Sequence, residues 1–134
     1  MTQALIRVLL VEDNEVYRSS LELLLGLQPG FEIVASVSSG AAAAAAAADA
    51  AADVVVMDYR LPGLDGAAAT RAVRRTSRAA VVCLTAEVTR EERAAVLDAG
   101  AVALVEKGDA IDVLADAIRR AAGISTPGSV PGGD

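Results

Sequence analysis

Asp58 closes the apolar run Val54-Val55-Val56-Met57, and Pro62-Gly63 follows almost at once. Four apolar residues are too few for a helix but suit a strand buried on both faces, so this carboxylate stands at a strand's C-terminal end. In open parallel sheets that edge is where ligands bind, which makes Asp58 a candidate for chemistry rather than packing. Other polar residues fall at equivalent places: Glu12-Asp13 after Ile6–Val11, Thr85 after Ala80–Leu84, and Lys107 after Val102–Glu106. In a parallel sheet these ends share one edge and converge on one shallow site. Three carboxylates without His or Cys are hard oxygen ligands, suited to a Mg²⁺ that keeps several waters and shares itself with a phosphate. An aspartate so held can attack phosphorus and form an aspartyl phosphate. A threonine hydroxyl and a lysine ammonium then suit the added phosphoryl oxygens. Each residue alone has a plain role: Asp13 or Asn14 as a helix cap, Thr85 as a β-branched strand end, Lys107 as a solvated charge. The chemistry lies in their joint placement.

The intervening segments must supply that placement. Asn14 is an N-cap for a helix with Tyr17, Leu21, Leu24 and Leu25 on its apolar face, closed by Pro29-Gly30. Phe31–Val37 is a second strand. The alanine run Ala41–Ala48, continuing to Ala52, predicts a thin and weakly anchored helix, because methyl groups bury little area. Asp65 caps a helix to about Thr76, with Arg71, Arg74, Arg75 and Arg78 as a solvated basic stripe. Thr89 and Glu92 have capping-box spacing, and Gly100 falls where a left-handed residue would end that helix. Asp109 caps a last helix with Ile111, Leu114, Ala115 and Ile118 on one face, closed by Gly123. Five strands alternating with five helices predict a doubly wound α/β fold, a parallel sheet with right-handed crossovers and helices on both faces. Residues 1–124 then form one domain, and 125–134, with Pro127, Gly128, Pro131, Gly132 and Gly133, form a flexible linker or tail.

Composition narrows the function. A net charge of −6 and a pI near 4.6 repel phosphate backbones and anionic lipid, so neither direct nucleic-acid binding nor membrane association is expected. Ile6–Val11 is too short for a signal segment or a membrane span. Histidine is absent, which removes His-based zinc sites and His-dependent triads. The single Cys83 sits in an apolar run as a small buried hydrophobe, in keeping with a reducing cytoplasm.

Over about residues 5 to 123 the chain resembles the receiver domain of bacterial two-component response regulators. The motifs that carry the resemblance are Val8-Leu9-Leu10-Val11-Glu12-Asp13-Asn14, Val56-Met57-Asp58-Tyr59-Arg60-Leu61-Pro62-Gly63-Leu64-Asp65-Gly66, Leu84-Thr85-Ala86 and Glu106-Lys107. The resemblance implies a flavodoxin-like (βα)5 fold with strand order 2-1-3-4-5. It implies Asp58 as phosphoacceptor, with Glu12, Asp13, Asp58 and the Arg60 backbone carbonyl holding Mg²⁺. Thr85 and Lys107 would contact the phosphoryl group. The donor would be a phosphohistidine on a sensor histidine kinase or phosphotransfer protein, and a homodimer formed on phosphorylation is left open. The chain would be a switch rather than an enzyme, controlling an output such as a DNA-binding transcriptional domain; the alternatives are a stand-alone regulator and a phosphorylation-independent interaction module. An aspartate-nucleophile phosphatase would resemble a D-x-D arrangement, and Asp58-Tyr59-Arg60 lacks the second acid. One departure is Leu104, three positions before the lysine, where the family commonly has an aromatic switch residue. Arg60 and Glu87 occupy flanking positions that in similar receivers influence hydrolysis, and they are expected to approach each other over the site.

Overall fold

The five apolar runs lie side by side in one parallel sheet, in the order β2-β1-β3-β4-β5. The computed structural model describes residues 5–87 and 89–125. Chain order is β1 Ile6–Val11, α1 Glu15–Gly26, β2 Phe31–Val37, α2 Ala43–Asp49, β3 Val54–Asp58, α3 Gly66–Thr76, β4 Ala80–Thr85, α4 Arg90–Asp98, β5 Ala103–Glu106 and α5 Ile111–Ser125. This is the flavodoxin-like topology. β3 and β4 are buried at every position, as strands covered on both faces must be.

Alternate strand residues feed two cores. On one face Val8, Leu10, Val54, Val56, Val82 and Leu84 pack with Leu21 and Leu25 of α1 and with Leu114 and Ile118 of α5. On the other, Leu9, Val11, Val55, Met57, Val81 and Cys83 meet the alanines of α2, Val73 of α3 and Val96 of α4. Leu24, expected on the apolar face of α1, is instead 42% exposed. The sheet covers only a narrow stripe of this helix, and Leu24 falls on its flank.

The alanine helix is shorter than the run that encodes it. A 3-10 turn, Gly40–Ala42, precedes α2, with Ser39 Oγ accepting from Ala42 N. After Asp49 the chain closes with Ala51 N and Ala52 N donating to Ala48 O and Ala47 O. The Arg7 guanidinium donates to the carbonyls of Ala50 and Ala51, taking up acceptors that a continuing helix would have used. Ala51 is left with φ 51°. High propensity across Ala41–Ala52 therefore yields to tertiary hydrogen bonds at the C-terminal end.

Four smaller expectations also shift. Val102 lies outside β5. Arg78 lies beyond the end of α3, so only Arg71, Arg74 and Arg75 of the basic stripe are helical. Asp109 does not cap α5; its Oδ2 accepts from Glu106 N at 3.3 Å, closing the turn after β5. Gly123 does not end α5, which continues to Ser125. Apart from Ser125, the tail expected over 125–134 lies outside the described residues. Among the described residues, no helix is long and apolar enough to cross a membrane.

Candidate functional site

Register sets the height of each functional side chain. Val11 of β1 pairs with Met57 of β3, so Glu12 and Asp58 follow at the same level. Asp58 pairs with Leu84, and Thr85 with Glu106, which brings Thr85 and Lys107 to the same edge. The loops after these strands are held from below. Gly66 packs so closely that a Cβ there would lie 2.8 Å from Asp58 O and 2.6 Å from Tyr59 Cα, and its N–H donates to Tyr59 O. Only glycine fits this approach, and it pins the backbone behind the carboxylate.

Glu12, Asp13 and Asp58 bring carboxylate oxygens within 4.8 Å of one another. Glu12 and Asp58 are buried, at 2% and 3% exposure, while Asp13 faces solvent. Lys107 Nζ lies 3.0 Å from Glu12 Oε1 and 3.4 Å from Asp58 Oδ2. Glu12 Oε1 is thus charge-paired, but among the described residues it accepts no well-directed hydrogen bond. Glu12 Oε2 accepts from Asn14 N, and Asp58 Oδ1 from Arg60 N at 3.2 Å. Burial, followed by the Glu12 charge, raises the Asp58 carboxyl to about 6 despite Lys107 and the Arg60 N–H. Burial alone would lower the Lys107 ammonium, but the Glu12 and Asp58 carboxylates outweigh it and hold the group above its ordinary value. A dense anionic cluster with one cation and an under-used buried oxygen is a fit for a further hard cation.

Thr85 is fully buried, and its hydroxyl donates to the Glu87 backbone oxygen at 3.0 Å. It stands at the expected strand end, yet contact with a phosphoryl oxygen requires that bond to be exchanged. Leu104, paired with Cys83, is partly buried against the core of the α2, α3 and α4 face.

The expected approach of Arg60 to Glu87 is not what forms. Arg60 Nη2 is paired instead with Glu92 Oε2 on the first turn of α4. Thr89 Oγ1 accepts from Glu92 N, as the capping box requires, but the Glu92 carboxylate is turned to Arg60. Residues 87 and 92 both follow Thr85; the helical turn begun by the Thr89 cap brings the more distant one back over the pocket. Arg60 and Glu92, with Asp13, Tyr59 and Asp65, line an open cavity of about 540 Å³ beside the cluster. A second residue that sequence reasoning assigned only to packing is Tyr17, whose ring centroid lies 4.6 Å from Lys107 Nζ. Its position one helical turn after Asp13 was the available signal.

A family model described as the response regulator receiver domain matches residues 8–119. The chain belongs to this family. The receiver is 34% identical over 118 residues to the transcriptional regulatory protein LiaR of Bacillus subtilis, covering 87% of this chain and 56% of LiaR. It is 35% identical over 116 residues to the response regulator UvrY of Escherichia coli, covering 86% of this chain and 53% of UvrY. The chain therefore spans about half the length of these curated relatives. Among solved structures, the receiver domain of the sensor histidine kinase PA1611 from Pseudomonas aeruginosa superimposes with a TM-score of 0.78 at 32% identity, over 90% of this chain and 99% of that one. That structure has a magnesium ion coordinated in its active site cleft.

Proposed function

We propose that this receiver accepts a phosphoryl group on Asp58 from a phosphohistidine of a sensor histidine kinase or phosphotransfer protein, and that the acyl phosphate switches an output. The observation that carries this is the buried carboxylate pair of Glu12 and Asp58, sharing one lysine and joined by Asp13 at the C-terminal edge of the sheet. Glu12, Asp13, Asp58 and the Arg60 backbone carbonyl would hold Mg²⁺. Bound there, it would supply charge neutralisation for the carboxylates and for the arriving phosphoryl oxygens.

The protein's own groups do the rest. An Asp58 oxygen attacks phosphorus; a P–O bond forms, the P–N bond breaks, and the leaving imidazole keeps the electron pair and takes a proton from solvent. Lys107, already between Glu12 and Asp58, gives its ammonium to a phosphoryl oxygen. Thr85 exchanges its bond to Glu87 O for another phosphoryl oxygen, which moves the loop that follows β4. The receiver thus changes shape through the chemistry on its own residue. Residues 1–124 act as the receiver and 125–134 as a linker to an output, in a cytoplasmic protein. The likeness to LiaR, named as a transcriptional regulatory protein, supports a DNA-binding output over a stand-alone regulator.

The test is intact mass after incubation with Mg²⁺ and acetyl phosphate, beside Asp58→Asn. One added phosphoryl group, dependent on Mg²⁺ and lost in the variant, is expected. No addition with Mg²⁺ present would overturn the reading in favour of a phosphorylation-independent interaction module.

A further inference from the structure

Lys107 is the only lysine in the chain, and it is held on three sides. Two sides are the carboxylates, Glu12 Oε1 at 3.0 Å and Asp58 Oδ2 at 3.4 Å. The third is the Tyr17 ring, 4.6 Å from the ammonium, well inside the ~6 Å over which a ring face attracts a cation. Tyr17 itself is fixed in the first turn of α1, where its N–H donates to the capping Asn14 Oδ1 at 2.8 Å. The ring therefore belongs to the segment that also carries Glu12 and Asp13. Beside the ring lies a cavity of about 100 Å³, lined by Tyr17, Leu24, Lys107, Ile111 and Leu114 among others. Loss of the ring would enlarge this space and give the flexible lysine stem somewhere else to go.

We propose that Tyr17 is a positioning residue for phosphoryl transfer, its ring face holding the Lys107 ammonium at the pocket before the phosphoryl group arrives. The inference rests on the reading of Asp58 as phosphoacceptor. An ammonium on a four-carbon stem samples many positions, and only a few put it beside both Asp58 and an incoming phosphoryl oxygen. The two carboxylates attract it without fixing its direction. The ring removes the solvent-side alternatives. Its face suffices for this, so phenylalanine should serve and leucine should not.

The experiment uses protein labelled with ¹³C-lysine, in which Lys107 gives the only lysine signal, in wild type, Tyr17→Phe and Tyr17→Leu. Ring-current shielding should move the Lys107 ε-protons upfield of free lysine in wild type and Tyr17→Phe, and that displacement should be lost in Tyr17→Leu. Phosphorylation by acetyl phosphate in Mg²⁺ should slow by roughly threefold to tenfold in Tyr17→Leu and be retained in Tyr17→Phe. If leucine prevents folding, Tyr17→Met, whose unbranched chain fills the same gap, carries the same comparison. A wild type that accepts phosphate while the leucine variant matches it in rate overturns the inference alone, whether or not the lysine signal moves. A wild type that accepts none overturns the phosphoacceptor reading and the inference with it.

Discussion

Asp58 is held in conflict with its neighbours. It is buried beside Glu12, and Lys107 relieves only part of the repulsion, so its carboxyl is raised from 3.8 to about 6. A group whose folded value lies above its unfolded one stabilises the fold while it is protonated in both states and ceases to do so as pH rises. The stability from Asp58 is therefore full below about pH 3.8, falls through the window up to about 6, and is gone above it. Asp58→Asn, neutral throughout, should raise metal-free stability at pH 7.5 by about 1–2 kcal/mol and give little gain at pH 4. Urea unfolding at the two pH values checks this; equal effects at both would show that the carboxyl is not strained. The same reasoning explains the chemistry: a site that disfavours its own charge is poised to take a cation and a phosphoryl group.

Two elements carry features that composition conceals. α2 and α4 end in the same hydrogen-bonded turn, Ala52 N to Ala47 O and Ala51 N to Ala48 O in one, Ala101 N to Val96 O and Gly100 N to Leu97 O in the other. The left-handed residue is Gly100 at φ 113° in α4 but Ala51 at φ 51° in α2. An alanine there works against its Cβ, so Ala51→Gly should stabilise by about 0.5–1 kcal/mol, measured as a shift in the urea midpoint at unchanged slope. The first turn of α4 reaches the pocket through the ion pair of Glu92 with Arg60. Both residues line the open cavity beside the site, and the pair should slow water's approach to an acyl phosphate. Arg60→Ala and Glu92→Ala should each shorten the phosphoprotein lifetime several-fold, while Glu87→Ala should not. A decay rate that responds to Glu87 and not to Glu92 would show that the pair has no such role. Its worth to stability is small, because the Arg60 side chain is 61% exposed.

At the scale of the whole molecule, the sheet is the device that assembles the site, and this was the most legible part of the chain. Short, Val-rich apolar runs such as Val54–Met57, closed by turn residues, suit strands buried on both faces, and parallel pairing then brings Glu12, Asp58, Thr85 and Lys107 to one edge. What the pattern could not carry was set by geometry between elements. The stop of α2 depends on Arg7, more than forty residues away along the chain. The choice of Glu92 over Glu87 depends on where the Thr89 cap starts a helix, and the contact of Tyr17 with Lys107 on how α1 packs beside α5. Asp109 failed as a helix signal for a more local reason. Its side chain is taken by a partner three residues back, Glu106 N, and so closes the turn after β5 instead of starting α5. The most direct measurement locates the phosphoryl group itself: borohydride trapping after acetyl phosphate treatment, followed by peptide mass mapping. Reduction of an aspartyl phosphate leaves homoserine, expected at position 58 alone and only when Mg²⁺ was present. Homoserine at Asp13 or Asp53, or none anywhere in protein that had gained phosphate, would contradict Asp58 as the phosphoacceptor.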